Sequence, residues 1–229
     1  MRSLVHSYLF LRQAIGVIGI GLPIVLIVGY LLWPQHAILA SISGYYYSPL
    51  RGVFVGSMCA VGVFLLSYRG TEVFEDIVAD VAGVAAIGVA LFPTTPSGNA
   101  SSIQQAVADV HMACAAVFFV MLAFFCLFRF PRTDYVPAVS DPHKRQRDIV
   151  YYLSGGVILL CLALVWAASW IPATESLHPL LWLETAAILS FGVAWFTKGR
   201  EPLPPDAATE ATPSTEAPQQ TRLGAQLRT

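Results

Sequence analysis

The chain has 229 residues, of which 56% are hydrophobic and only 12% charged, and its formal net charge is −1. With a mean hydropathy of +0.64 it is too apolar for a soluble domain of this length, so the expected class is an integral membrane protein. A near-neutral charge balance offers no basic surface for nucleic acid, and the sequence holds no Gly-rich phosphate loop, nucleophile elbow or pair of haem-binding histidines.

A helix needs about 20 residues to cross a hydrocarbon layer of roughly 30 Å, and somewhat fewer where the bilayer thins. Six apolar stretches meet this, at about 14–33, 52–68, 77–93, 105–128, 149–170 and 179–197. The fold class expected is therefore all-α: a polytopic bundle of six transmembrane helices over 1–200, followed by a tail.

The first stretch follows Arg2 and Arg12 and is followed by Ile38-Leu39-Ala40, which resembles a signal cleavage site. Its apolar run exceeds the 7–15 residues of a secretory signal, roughly stated, so it is read as retained. Tyr45-Tyr46-Tyr47-Ser48 and Arg51 then lead into the second stretch. Gly52, Gly56 and Ala60 recur there at four-residue spacing, and the third stretch carries Ala79 and Gly83 on one face and Ala82, Ala86 and Ala90 on another. Small residues let backbones approach closely inside a membrane. These two stretches should form a tight antiparallel hairpin at the centre of the bundle.

Asp76 and Asp80 lie one helical turn apart, beside Arg69 and Glu72. They read as a solvated helix start, with an ion or proton site around Asp80 as the alternative. The fourth stretch opens with Gln104, Gln105, Asp109 and His111; its His111 shares a face with Ala108, Cys114, Ala115 and Phe118. Pro131, Pro137 and Pro142 surround a basic run from His143 to Arg147, which reads as a topology determinant or a contact for anionic headgroups. Glu184 lies two turns into the sixth stretch, below His178. Cys59, Cys114, Cys126 and Cys161 all fall in apolar stretches and show no disulfide or metal spacing. From Glu201 to the end, Pro, Ala, Thr, Glu and Gln predominate, so 201–229 is expected to be a disordered tail.

Charge sets the expected orientation. All but one of the thirteen Lys and Arg residues precede the first stretch, lie in the second or fourth loop, or follow the sixth; the exception is Arg51. Short basic loops are retained in the cytoplasm, which places both termini in the cytoplasm of a cell with a plasma (inner) membrane. Trp33, Trp166, Trp170 and Trp182 then mark the outer boundary, and Tyr68, Tyr151, Tyr152 and Trp195 the inner one.

Ionisable groups at membrane depth cost about 2.5–3.5 kcal/mol on insertion scales, so they point to function or to a partner. Arg51, Asp109, His111 and Glu184 converge on the outer side, with Tyr45 and Tyr46 as hydrogen-bond donors. Glu184 should pair with Arg51, hydrogen-bond to His111 or be protonated. The group reads as a structural clamp or as a binding site for a lipid phosphate or small polar molecule. His111, Asp109 and Glu184 are the catalytic candidates if the protein is an enzyme.

The run Ser41 to Ser48, the small-residue second stretch, Val81-Ala82-Gly83 through Ala90-Leu91-Phe92-Pro93-Thr94-Thr95, and His111 opening the fourth stretch together resemble the bacterial membrane proteins grouped as DUF 998. The likeness spans about 15–195. It implies a six-helix bundle of unassigned function and picks out Ser41 or Ser43, Pro93 and His111. A more distant likeness is to the membrane hydrolases that include alkaline ceramidases and the progestin and adiponectin receptors. That resemblance implies a zinc ion activating water, yet the chain has no His-x-x-x-His and offers only His111, Glu184 and an Asp where three protein ligands are usual.

Three functions follow. The first is a non-enzymatic membrane protein that binds membrane lipids, or another membrane subunit, through the outer polar cluster, with no cofactor. The alternatives are a zinc-dependent lipid hydrolase with His111 and Glu184 among its ligands, and a small proton-coupled transporter with Asp80, His111 and Glu184 as a relay.

Overall fold

The computed structural model describes residues 2–32, 38–70, 72–96, 98–132, 143–168, 170 and 178–200, with side chains from residue 9 onward. The tail 201–229, Trp33 and the prolines at 137 and 142 lie outside the described residues.

Among the described residues every regular element is helical. They are α1 (Arg2–Leu31), a short 3₁₀ turn (Ser43–Tyr47), α2 (Arg51–Leu66), α3 (Val73–Leu91), α4 (Ser102–Phe124), a π turn continuing it (Phe125–Arg129), α5 (Lys144–Ala168) and α6 (Pro179–Lys198). Local chemistry sets several boundaries. Ser101 opens α4 through a capping box: its hydroxyl accepts from the Gln104 N–H at 3.3 Å, and the Gln104 side chain accepts from the Ser101 N–H at 2.8 Å. Pro179 occupies the first turn of α6, where a missing N–H costs nothing. Pro93 follows α3, ending it.

Four helices are long and apolar enough to cross a membrane: Leu9–Leu31, Ser102–Arg129, Lys144–Ala168 and Pro179–Lys198. The other two of the six expected spans are different in kind. With 16 residues, α2 reaches about 24 Å at 1.5 Å per residue. The third has the length, but Glu75, Asp76 and Asp80 fall near its start.

Each helix packs chiefly on its neighbours in sequence, and α1 against α6 closes the ring. The chain therefore runs up and down, and two ends can be defined. At the basic end α1 begins, α2 turns into α3, α4 turns into α5 and α6 finishes. At the opposite end lie the 3₁₀ turn, Phe92-Pro93, Ser101 and His178. The α2–α3 hairpin forms as expected but is an arc of this ring, not its centre.

Glycine backbones make the seams. A Cβ added to Gly62 would meet the Gly83 carbonyl at 2.8 Å, and one on Gly83 would meet the Gly62 carbonyl at 2.8 Å. Gly19 and Gly192 play the same part where α1 crosses α6, with a Cβ on Gly19 falling 2.9 Å from the Gly192 Cα. The expected packing stripe of Gly52 and Gly56 faces open space instead. Period alone marks a small-residue face without saying which neighbour it meets, and the face actually used is one step around the helix.

The core at the basic end is aromatic. Trp195, Phe125, Phe130 and Tyr151 are each at most 1% exposed, and their rings meet edge-on at 5.0 to 5.4 Å or tilted at 5.7 Å. Trp195 and Tyr151 were expected at a headgroup boundary; both point inward. Trp166, Trp170 and Trp182 are exposed, as a boundary ring should be.

Candidate functional site

Glu184 on α6 is the pivot of the end opposite the basic one. The 3₁₀ turn begins with backbone N–H groups that no helix carbonyl can satisfy, and Glu184 supplies the acceptor from another element. Its Oε2 accepts from the Ile42 N–H at 2.6 Å and the Ser43 N–H at 3.3 Å, while Oε1 accepts from the Ser43 hydroxyl at 3.2 Å. The next N–H, of Gly44, is taken by Ser41 Oγ at 2.9 Å. A carboxyl set within an apolar helix is thus matched by fixed donors, which is the compensation its burial demands.

His111 on α4 makes the converse cap. Its Nδ1 lies 2.7 Å from the Phe92 carbonyl at the end of α3. A carbonyl only accepts, so Nδ1 carries the hydrogen. The ring, 2% exposed, also lies beside the Val89 carbonyl. That oxygen would ordinarily take the N–H four residues on, but the residue there is Pro93.

The expected cluster divides. Ser43, His111 and Glu184 line one small cavity of about 40 Å³. Arg51 does not pair with Glu184: it hydrogen-bonds to the Tyr46 hydroxyl and stacks over that ring at 4.0 Å, on the surface. Asp109 is exposed and accepts from Gln105 at 3.0 Å along its own helix. Tyr45 is fully buried, edge-on to Tyr30 at 5.5 Å, and burial raises its phenol above the ordinary value, so its hydroxyl stays neutral. It is a packing residue.

Two larger cavities adjoin the small one. A mouth of about 450 Å³ is lined by Tyr30, Ser41, Ser43, Tyr47, Thr94 and Thr95 among others. An apolar slot of about 280 Å³ between α4, α5 and α6 is lined by Ala115, Phe119, Leu162 and Trp166, with His111 and Glu184 as its polar groups. The three adjoin one another, sharing lining residues. Ser43 lines the mouth and the small cavity; Met112 and Leu180 line the mouth and the slot; His111, Ala115, Phe119 and Glu184 line the slot and the small cavity. Chemically, the arrangement presents hydroxyls at the mouth, and a carboxyl and an imidazole among hydrocarbon in the slot and the small cavity.

Sequence reasoning missed the hydroxyl mouth, apart from the serines that the DUF 998 resemblance picked out. Thr94 and Thr95 gave no signal because only the fold carries the α3–α4 loop to Tyr47, whose hydroxyl donates to the Thr94 carbonyl at 2.7 Å.

It also missed a buried ion pair at the basic end. Arg129 donates to Glu75 at 2.8 Å and to Glu72 at 3.0 Å, with its side chain 7% exposed and that of Glu75 8%. The Tyr68 hydroxyl donates to the other Glu75 oxygen at 2.6 Å, and Arg12 reaches the Tyr68 hydroxyl at 3.4 Å. The π turn, with one extra residue per turn, turns Phe125, Cys126 and Arg129 toward the bundle together. The acids singled out from sequence serve elsewhere. Asp76 accepts from the Gly70 N–H at 2.7 Å, and Asp80 meets Arg69 at 3.5 Å in a pair that is 48% and 61% exposed. Between the two ends, the packed layer includes Phe118, Leu122, Phe191, Ala82 and Ala86.

Among the described residues no three His, Cys, Asp or Glu side chains are grouped to hold a metal ion. No family model, no curated protein and no solved structure matches this chain.

Proposed function

We propose that this is a six-helix protein of the plasma (inner) membrane, with both termini cytoplasmic, that holds an amphipathic lipid in the cavity system around Ser43, His111 and Glu184. The observation that carries the reading is the change of character across three adjoining cavities, from a hydroxyl-lined mouth to an apolar slot bounded by α4, α5 and α6. Ligand sites are concave, mostly apolar and furnished with a few convergent polar groups, which is the composition found here.

The orientation rests on the basic residues. Arg12, Arg69, Arg129, Lys144 and Lys198 share the end expected to face the cytoplasm, so the mouth opens toward the outer leaflet. The resemblance to the DUF 998 proteins implies the same bundle and picks out Ser41 or Ser43, Pro93 and His111, without adding chemistry.

The test is native mass spectrometry of the full-length protein released gently from detergent. A lipid adduct should survive on the wild type and be lost from Ala115→Phe, which fills both the slot and the small cavity. An adduct retained equally by both would place the lipid elsewhere and sink the reading. Ala187→Phe, which narrows the slot alone, serves if the first variant does not fold.

A further inference from the structure

Away from the cavities, α2 turns a face of small residues outward from the ring. Gly52 and Gly56 are exposed, a Cβ built on either meets open space, and Ala60 follows at the same four-residue spacing. Lipid tails supply no hydrophobic drive between helices, so association depends on backbones close enough for dispersion contact, which small residues permit. Gly62 makes such a contact within the chain, against Gly83 of α3, on a different side of the helix. Small residues alone mark a face without naming its occupant; length and charge name it here.

The α2 flank is short. Arg69 Nη1 donates to the Leu66 carbonyl at 3.1 Å and to Asp80 at 3.5 Å, so the last turn of α2 shares its depth with Asp80. Asp80 lies about 10 Å along α3 from Val73, at 1.5 Å per residue. The second helix therefore stops well short of where its neighbour begins, and its own length of about 24 Å falls below the roughly 30 Å of hydrocarbon. A span too short for the bilayer thins it, or leaves lipid contact by oligomerising.

Charge then selects the partner. The Arg69 and Asp80 side chains are 61% and 48% exposed, at a depth where charged groups ordinarily face a bundle interior or a partner. A cation beside an anion makes the foot of α2 self-complementary under a two-fold rotation, because Arg69 of each copy can meet Asp80 of the other. A patch of one sign would repel its own copy.

We infer that the protein forms a two-fold dimer in the membrane, with the α2 helices crossing at Gly52 and Gly56 and the Arg69–Asp80 pairs exchanged at their feet. The pairing does not depend on the lipid reading.

The experiment is Förster transfer between donor- and acceptor-labelled full-length copies, co-reconstituted in phosphatidylcholine liposomes and followed as lipid dilutes the protein. The wild type should show transfer above random proximity. Gly56→Ile should weaken association at least about tenfold, or about 1.4 kcal/mol. Gly156→Ile is the matched control, at an exposed glycine of α5 that also faces open space, and should leave association unchanged. Copies carrying Arg69→Glu, mixed with copies carrying Asp80→Lys, should associate more strongly than either does alone. Thermal unfolding in detergent checks that Gly56→Ile folds; if it does not, Gly52→Ile and the charge mixture carry the test. Transfer no greater than random proximity in the wild type leaves the face to lipid and overturns the dimer. Association that survives Gly56→Ile, or that Gly156→Ile weakens equally, overturns the α2 interface. A mixture no stronger than its components overturns the exchange of pairs.

Discussion

The Glu184 carboxyl accepts the Ile42 backbone N–H at 2.6 Å, so a side chain of the last helix caps the 3₁₀ turn that follows the first. This contact joins two segments 142 positions apart. It makes Glu184→Ala a structural lesion: two backbone donors and the Ser43 hydroxyl lose their acceptor, at about 1–3 kcal/mol for each buried group left unmatched. Thermal unfolding in detergent should show a clear fall in Tm for Glu184→Ala and a smaller one for Glu184→Gln, which keeps an acceptor oxygen. Equal effects would mean that the hydrogen bonds are not what Glu184 contributes.

Arg51 is the reverse case. Its stacking on Tyr46 at 4.0 Å is on the surface, where such contacts contribute about 0.5–1 kcal/mol. Arg51→Ala should therefore shift Tm only slightly. A loss comparable with that of Glu184→Ala would show that the two are coupled after all.

At the basic end, Arg129→Ala leaves Glu75 buried without its cation, and breaking a buried pair costs about 3–5 kcal/mol. The matched change Glu75→Leu with Arg129→Leu should recover much of that loss, because it removes both charges together. A double variant as unstable as Arg129→Ala alone would show that the pair supplies more than mutual neutralisation.

The glycine seams give a paired comparison. Gly83→Ala puts a Cβ 2.8 Å from the Gly62 carbonyl, and overpacking of this kind costs about 1–3 kcal/mol. Gly56→Ala meets open space and should be neutral or favourable, since Ala exceeds Gly in helix propensity by about 1 kcal/mol. The difference in Tm between these variants reads out which face of α2 is packed.

Metal analysis of purified protein separates lipid binding from zinc hydrolysis. His111 and Glu184 supply two ligands where a catalytic zinc uses three, so no stoichiometric zinc is expected, and chelation should leave Tm unchanged. One zinc per chain, lost together with an esterase or amidase activity, would favour the hydrolase.

The helices were legible because apolar length and charge are properties of short windows: each of the six stretches overlaps one of α1 to α6, although α1 begins at Arg2, well before the apolar run at about 14. Glu184 and His111 could also be singled out, since a polar group inside an apolar run needs a partner wherever the run is placed. Their partners could not be read. Both turned out to be backbone groups, Ile42 N–H for one and Phe92 C=O for the other, and every residue carries such groups alike. Arg51 is the one basic residue outside the basic end expected from charge, but opposite charge in a sequence does not tell whether two side chains share a depth and a seam.

The sequence by itself determined a helical membrane bundle, its order of segments and the residues whose burial demands compensation, because those follow from composition and period. Only the tertiary structure decided that Gly62 and not Gly56 makes the crossing, that Glu75 rather than Asp80 is the buried acid, and that Ser43, His111 and Glu184 meet at one cavity. These depend on the rotation of each helix about its axis. That angle is set by close packing against neighbours far away in the chain, which no local pattern records.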